Sequence, residues 1–305
     1  MNRVWGYISA LTVALLFGVC FSLDKTLLGY LHPFALAAWT HLIASAFLFI
    51  INFSPFREII LDFINQKSEV ENYITRKEYL ILFLTAVFGS LIAPALYLSG
   101  LFIITAVNAA FLANAGIIFI IILGVLFLKE KVWKKDFIGF AFLLIGAIFL
   151  STNNLQNLYF NQTLFGSILV ISASFFWSMD TILSKFLSFK RNIIFITALK
   201  TLIGGSILFI VSLIMGLSFS LPSDKVPLLL FIGLVCLSFS LPLIYFAIRF
   251  IGSTRTGSIF SLSSLFGAIT AFLALGEPLS VLQLSFGILM ISGVYILYMG
   301  EVRSK

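Results

Sequence analysis

Residues 275–297 read LGEPLSVLQLSFGILMISGVYIL, and they repeat a pattern that occurs earlier at residues 128–150, LKEKVWKKDFIGFAFLLIGAIFL. Glu130 and Glu277 occupy the same place near the start of the two copies. A run of about 20 mostly apolar residues is the sequence signature of a helix that crosses a lipid bilayer. The two segments therefore predict one closing membrane helix for each of two similar halves of the chain.

The rest of the chain is as apolar as these two segments. Of its 305 residues, 61% are hydrophobic and 10% are charged, whereas soluble domains are about 25% charged. So few polar side chains could not cover the surface that a folded soluble protein of this size exposes. The two cysteines have no metal-ligand spacing. We therefore expect an all-α integral membrane protein with no metal site and no cofactor.

Ten apolar segments follow one another along the chain, and the predicted fold accordingly has ten transmembrane helices. Their approximate limits are 5–27, 34–53, 79–101, 105–128, 132–151, 165–186, 193–216, 226–248, 256–275 and 279–299. The connecting segments are short except for residues 54–78. There, apolar residues recur at helical spacing among charged ones, which predicts a short helix at the membrane surface.

Lysine and arginine residues in the loops indicate the direction of the spans, because cytoplasmic loops are enriched in both. With the N-terminus in the cytoplasm, 16 of the 19 Lys and Arg residues fall on the cytoplasmic side and only Lys25 and Lys225 on the outer side. We therefore predict a multi-pass protein of the cell (cytoplasmic) membrane with both termini in the cytoplasm. The basic charge follows from this topology, so the expected partner is the lipid bilayer and not nucleic acid.

Further matches in the same order indicate an internal repeat. Pro94 and Tyr97 have the same spacing as Pro242 and Tyr245. Since each copy holds five spans, an odd number, the second copy must be inverted in the membrane. Two inverted five-helix repeats are typical of secondary transporters, which bind their substrate between the repeats near the midplane. The predicted division is residues 6–151 for the first repeat, 152–164 for an outer linker and 165–299 for the second repeat.

The closing segment of the second repeat resembles that of EamA-type transporters of the drug/metabolite transporter superfamily. The matching residues are Gly276, Glu277, Pro278, Gln283, Gly287 and Gly293. The first copy departs from the pattern, because Lys129 and Lys131 stand where glycine and proline are usual. The resemblance covers about residues 6–151 and 165–299 and implies a carrier of small metabolites such as amino acids, nucleotide-sugars or phosphorylated sugars. It assigns no substrate-binding residue here.

Two charged residues lie inside predicted spans. Asp180 in the sixth span and Lys200 in the seventh lie at about the same depth, because the two spans run in opposite directions. A charge near the centre of the bilayer costs at least about 2.5–3.5 kcal/mol, so such residues are candidates for function. Two interpretations stay open: the pair belongs to a transport cavity, or it is a salt bridge that only locks two helices together.

Six further polar or aromatic residues are candidates for substrate binding or coupling. They are Trp177, His41, Asn114, Tyr97, Tyr245 and Ser261. Trp177 shares a helix face with Asp180, and each tyrosine follows a proline by one turn. Packing alone could explain His41, and the row of small residues around Ser261 could be a helix contact. Glu130 and Glu277 are predicted to be helix caps, with a gate as the alternative.

The chain contains neither an H-E-x-x-H nor a G-x-S-x-G motif, so no catalytic residue is predicted and the protein is not expected to be an enzyme. It also has no nucleotide-binding loop, so transport would depend on a gradient or on exchange. We predict a secondary transporter of a small polar metabolite, such as an amino acid or an amino-acid-bearing nucleoside like S-adenosylmethionine, working by alternating access.

The alternatives to this prediction are an intramembrane enzyme and a lipid- or drug-handling membrane protein. Coupling to protons and exchange with a counter-substrate both stay open. Neither the direction of transport nor the oligomeric state follows from the sequence.

Overall fold

The structure is a computed structural model that describes residues 2–63, 75–129, 134–151, 162–188, 191–276 and 281–302. Within these ranges every regular element is a helix. The helices are α1 (Asn2–Leu27), α2 (Pro33–Phe53), α3 (Phe56–Phe63), α4 (Arg76–Ile103), α5 (Ala106–Ala113), α6 (Ala115–Leu128), α7 (Lys134–Ser151), α8 (Gln162–Ser188), α9 (Ile193–Ile214), α10 (Ser223–Ile251), α11 (Ser253–Phe260), α12 (Ser263–Leu275) and α13 (Val281–Val302).

Eight helical segments of the described residues are long and apolar enough to cross a membrane. They coincide with the predicted spans one to four and six to nine. Helices α7 and α13 occupy the places of the fifth and tenth spans, and the apolar stretch counted within α13 is Ile288–Leu297. The protein is therefore an all-helical, multi-pass membrane protein, while the count of ten spans stays a prediction. Helix α3 is the short helix predicted within residues 54–78.

Side-chain caps define where several helices begin. At the start of α4, Thr75 and Glu78 form a reciprocal capping box, in which each side chain accepts a hydrogen bond from the other residue's backbone N–H. Asn192 caps α9 by accepting hydrogen bonds from the backbone of Ile194 and Phe195. Glu130, Glu277 and most of the linker 152–164 lie outside the described residues.

Two helices contain a widened, π-helical turn before a proline. In α4 the π-helical residues are Val87–Ile92, shortly before Pro94, and in α10 they are Ile232–Leu237, before Pro242. The helices therefore continue through both proline positions. Turns of this kind are rare and occur frequently at functional sites.

The fourth and ninth predicted spans are each interrupted near the middle. The break between α5 and α6 falls at Asn114, and the break between α11 and α12 falls at Ser261 and Leu262. The backbone closes both breaks with short i to i+3 hydrogen bonds, such as Ile117 N–H to the Asn114 carbonyl at 2.9 Å. Two of the candidate residues, Asn114 and Ser261, therefore stand at corresponding helix breaks.

Helices from the two predicted repeats pack against each other in corresponding pairs. Helix α2 packs along α9, and α7 packs along α13. Helix α4 packs along α8, and in the corresponding way α10 packs along α1. At the α7–α13 contact, a Cβ at Gly139 would lie 2.9 Å from the Gly293 carbonyl oxygen, and one at Gly293 would lie 2.8 Å from the Gly139 carbonyl oxygen. Only glycine permits this approach of two backbones. The division at residues 152–164 stays a prediction.

Candidate functional site

A cavity of about 110 Å³ lies between helices of both predicted repeats. It is bounded by residues from α1, α2, α4, α5, α6, α8, α9, α10 and α11. Six of the eight candidate residues line it: His41, Tyr97, Trp177, Asp180, Lys200 and Tyr245. Asn114 and Ser261 are buried at the neighbouring helix breaks and do not line it.

Asp180 and Lys200 form the ion pair expected from their matching depth. The Lys200 Nζ donates to Asp180 Oδ2 at 2.5 Å, and the lysine is only 2% exposed. Ser184 Oγ donates to the other carboxylate oxygen, Oδ1, at 3.2 Å. Both oxygens of the carboxylate therefore have a donor, which is the condition for a charged pair to persist out of water.

The π-helical turn of α4 covers this ion pair. A Cβ built on Gly89 would fall onto the Asp180 carboxylate and lie 2.9 Å from Lys200 Nζ. Ser90 follows Gly89 in the same turn, and a Cβ built on Gly204 of α9 would lie 2.5 Å from Ser90. Gly89 lets the backbone of α4 contact the pair directly, and Gly204 lets α9 approach the same turn. Gly89 was not singled out from the sequence.

Two tyrosines, Tyr97 and Tyr245, line the cavity in different surroundings. Lys200 Nζ lies 5.7 Å from the centre of the Tyr245 ring, within the range of a cation–π contact. Tyr97 instead belongs to an aromatic cluster with Phe21 and Trp177. Over the part of the chain that is described, the Tyr97 hydroxyl has no hydrogen-bond partner, although it is buried.

The tautomer of His41 follows from the hydrogen bond that its ring makes. His41 Nδ1 lies 2.9 Å from the Ala37 carbonyl oxygen. Because a carbonyl only accepts, Nδ1 must carry the hydrogen, and Nε2 is left as the acceptor of the neutral ring. His41 is 5% exposed and lines the cavity, so Nε2 is the ring atom available to a donor there.

The two remaining candidates have local roles at the helix breaks. Ser261 Oγ donates to the Ser258 carbonyl oxygen at 2.7 Å. The Asn114 amide Nδ2 is buried and, among the described residues, has no acceptor. The cavity wall adjacent to these breaks is formed by Gly116 and Phe260 instead.

Sequence reasoning missed a second carboxylate, Asp24 of α1, which lines the same cavity. Cys20 Sγ donates to Asp24 Oδ2 at 3.4 Å. When Lys25 is aligned with Lys185, Cys20 falls on Asp180 and Asp24 falls on Ser184. Each repeat thus has one carboxylate and one small donor four residues apart, in opposite order. This i, i+4 pairing was the available signal, but Asp24 stands at the end of its span beside a lysine and resembles a loop residue.

Two ion pairs join the predicted repeats at the end of the molecule where α4 and α7 begin. Arg191 contacts Glu78 through two hydrogen bonds, Nε to Oε1 at 3.1 Å and Nη2 to Oε2 at 2.5 Å. Arg255 Nη2 lies 3.0 Å from Asp136 Oδ2. All four residues are largely shielded from solvent, so salt and water screen the two contacts less than they screen surface pairs.

The chain is a bundle of membrane helices around a mostly apolar cavity that holds a buried ion pair, and comparison with known proteins identifies its family. The model of the EamA-like transporter family matches residues 4–152 and 164–299. The chain belongs to this family and is a membrane transporter. The family and the names of its relatives indicate a transporter rather than an enzyme.

The relatives come from archaea and bacteria. An uncharacterised transporter of Methanothermobacter thermautotrophicus is 46% identical over 299 residues, 98% of this chain and 87% of that protein. The uncharacterised transporter YyaM of Bacillus subtilis is 25% identical over 294 residues, 94% of this chain and 92% of that protein. A solved crystal structure with 14% identity superposes with a TM-score of 0.75, covering 100% of this chain and 98% of that one, and supports the fold alone.

Proposed function

We propose that the protein carries a small polar metabolite with both a positive and a negative group across the cytoplasmic membrane. Ten spans in two inverted repeats, residues 6–151 and 165–299, would rock about the cavity in alternating access. The observation that carries this proposal is the buried Asp180–Lys200 ion pair in the wall of a cavity between the repeats.

A buried ion pair suits a substrate that offers the same two charges. Separating Asp180 from Lys200 without replacement would leave two charges uncompensated in a medium of low polarity. A zwitterion supplies an amine for Asp180 and a carboxylate or phosphate for Lys200. Each residue then exchanges its lost partner for an oppositely charged group of the substrate. The rings of Trp177 and Tyr245 would then cover an apolar or aromatic part. An amino acid, or an amino-acid-bearing nucleoside such as S-adenosylmethionine, has this chemistry.

The distribution of basic loops supports an orientation with both termini in the cytoplasm. In that orientation, the Glu78–Arg191 and Asp136–Arg255 pairs lie at the cytoplasmic end of the bundle. Both pairs link one repeat to the other, so they would have to part whenever the cavity opens inward. We therefore assign them to closure of the inner side.

Energy for transport would come from a gradient or from exchange. Either a counter-substrate separates the Asp180–Lys200 pair in the returning carrier, or a proton taken up by Asp180 releases Lys200. Counterflow in liposomes distinguishes the two. Exchange alone predicts that efflux stops without external substrate, whereas proton coupling predicts efflux that follows an imposed pH gradient. An intramembrane enzyme, or a lipid- or drug-handling protein, is the competing class, and the family relationship favours the metabolite carrier.

The first test is a thermal-shift screen of the purified protein against a metabolite panel, with Asp180→Asn and Lys200→Met beside the parent. A ligand present at 100 times its Kd should stabilise the folded carrier by about 2.7 kcal/mol. A zwitterionic ligand whose effect is lost in both variants, and which the parent takes up into liposomes, would support the proposal. Equal transport by the parent and both variants would show that the ion pair is only structural.

A further inference from the structure

The cavity holds a second carboxylate whose environment differs sharply from that of Asp180. Asp24 is 6% exposed, and its Oδ2 accepts the hydrogen bond from Cys20. Its other oxygen, Oδ1, is buried and receives no hydrogen bond from any residue that the structure describes. A buried carboxylate oxygen without a donor costs free energy comparable to a lost hydrogen bond or more. A ligand that donates a hydrogen bond to Oδ1 would recover this free energy.

The neighbouring lysine does not supply the missing contact. Lys25 Nζ donates to the carbonyl oxygens of Leu101 and Ile104, at 2.6 and 2.7 Å, and thereby ties α1 to the end of α4. In the second repeat, the Asp180 carboxylate receives its cationic contact from Lys200. The sequences LIASAFLFI at 42–50 and LIGGSILFI at 202–210 align without a gap and place Thr40 where the second repeat has Lys200. The first half of the cavity therefore has a carboxylate without the matching cation.

Three aromatic rings line the same cavity as this carboxylate. Phe21 is one helical turn before Asp24, and its ring centre lies 4.4 Å from that of Tyr97 and 5.8 Å from that of Trp177. Tyr97 and Trp177 are 5.2 Å apart. The faces of aromatic rings attract organic cations, and a carboxylate beside them adds a charged acceptor. The hydroxyl of Tyr97, also without a partner among the described residues, offers a further acceptor.

We propose that Asp24, Phe21, Tyr97 and Trp177 form an ammonium-binding subsite, which takes the positively charged amine of the substrate before the Asp180–Lys200 pair opens. This rests on the proposed function and deepens it, because it names an organic ammonium group as the part of the substrate recognised first. In the closed pair, Asp180 is already neutralised by Lys200 at 2.5 Å. Asp24 is the cavity carboxylate that can accept a cation without breaking an existing ion pair.

The test uses three probes of similar shape on the purified full-length protein: phenethylammonium, 3-phenylpropionate and L-phenylalanine. Binding is followed by thermal shift and by calorimetry. The parent should bind phenethylammonium but not 3-phenylpropionate in this subsite. Asp24→Asn, which keeps the shape and removes the charge, should weaken phenethylammonium binding at least about tenfold, as expected for a charge-assisted contact. Asp224→Asn is the matched control, because it removes a carboxylate that is 67% exposed in the first turn of α10 and does not line the cavity. It should leave this binding within about twofold, a change small against the tenfold that 1.4 kcal/mol represents.

A second variant keeps the test decisive if Asp24→Asn does not fold. Phe21→Leu retains the carboxylate and removes one aromatic face, and it should weaken phenethylammonium binding about fivefold. Absence of phenethylammonium binding to the parent, or equal binding to the parent and to Asp24→Asn, would overturn the subsite. Zwitterion transport that still depends on Asp180 and Lys200 would then leave the proposed function standing, so the two failures are distinguishable.

Discussion

At the scale of single residues, Gly89 controls whether the ion pair can exist. Its missing side chain gives Asp180 and Lys200 the space that a methyl group would occupy. Gly89→Ala should therefore displace the carboxylate, lower the melting temperature by several degrees and abolish ligand stabilisation, since core overpacking costs about 1–3 kcal/mol. Differential scanning fluorimetry with and without ligand measures both effects.

Gly116 provides the matched control, because it is also a helical glycine in the cavity wall. A Cβ there would make contacts of 3.7 to 3.9 Å, which are ordinary van der Waals distances. Alanine is a better helix former than glycine by about 1 kcal/mol, so Gly116→Ala should keep or raise the melting temperature. Equal effects of the two substitutions would contradict the special role of Gly89.

Removing one partner of the ion pair should cost more than removing both. Lys200→Met leaves the Asp180 carboxylate buried without its cation, and breaking a buried pair in this way costs about 3–5 kcal/mol. The double variant Asp180→Asn/Lys200→Met has no uncompensated charge, so it should recover a large part of that loss. Reversible unfolding in mixed detergent micelles gives all four free energies of the double-mutant cycle. A double variant that is as unstable as the sum of the single variants would exclude this coupling.

At the scale of helices, the ion pair at the start of α4 should hold the cytoplasmic end closed. Glu78 accepts two hydrogen bonds from Arg191 of the other repeat while it also caps its own helix. Glu78→Gln weakens the link between repeats, so the cavity should open inward more often. In a Cys236→Ser background, Cys20 is the remaining cysteine, and its labelling in inside-out vesicles by an impermeant thiol reagent should accelerate several-fold.

Asp224→Asn is the control for this experiment, because it also removes one partner of an ion pair. The Asp224 side chain is 67% exposed and contacts Lys225 in the first turn of α10. Its loss should leave Cys20 labelling unchanged, since exposed pairs contribute little. Labelling that is no faster in Glu78→Gln than in this control would argue against a gate at Arg191.

The sequence predicted helices more successfully than their irregularities. The positions of the spans follow from apolar length alone, and the structure places helices in all of the predicted segments. The π-helical turns at Val87–Ile92 and Ile232–Leu237 could not be predicted, because they depend on packing against other helices and not on local propensity. The Asp180–Lys200 contact could be predicted from depth. Asp24 could not be recognised from depth, since its partner is a thiol on its own helix.

At the scale of the whole molecule, the proposed inverted repeat would relate the inward- and outward-facing states by an approximate two-fold rotation. If the repeats were identical, exchanging their conformations would give two states of equal energy. Residues that differ between equivalent positions therefore set the balance between the states. Lys200 is such a residue, because Thr40 holds the equivalent position in the first repeat. The covering turn at Gly89 belongs to the first repeat, so movement between repeats changes the environment of the ion pair.

This argument predicts a shift in state populations when the asymmetry is removed. In the variant Asp180→Asn/Lys200→Thr, the second substitution introduces the residue of the first repeat, and the first removes the charge that would otherwise be left unpaired. The rates of Cys20 labelling from the two sides of the membrane should then become more nearly equal than in the parent, measured in right-side-out and inside-out vesicles of the Cys236→Ser background. Because a change of 1.4 kcal/mol shifts a two-state ratio tenfold, the loss of one buried pair is enough to be detected. An unchanged ratio of the two rates would mean that the ion pair has equal energy in both states, and that the balance between them is set at the ion pairs of Arg191 and Arg255 instead.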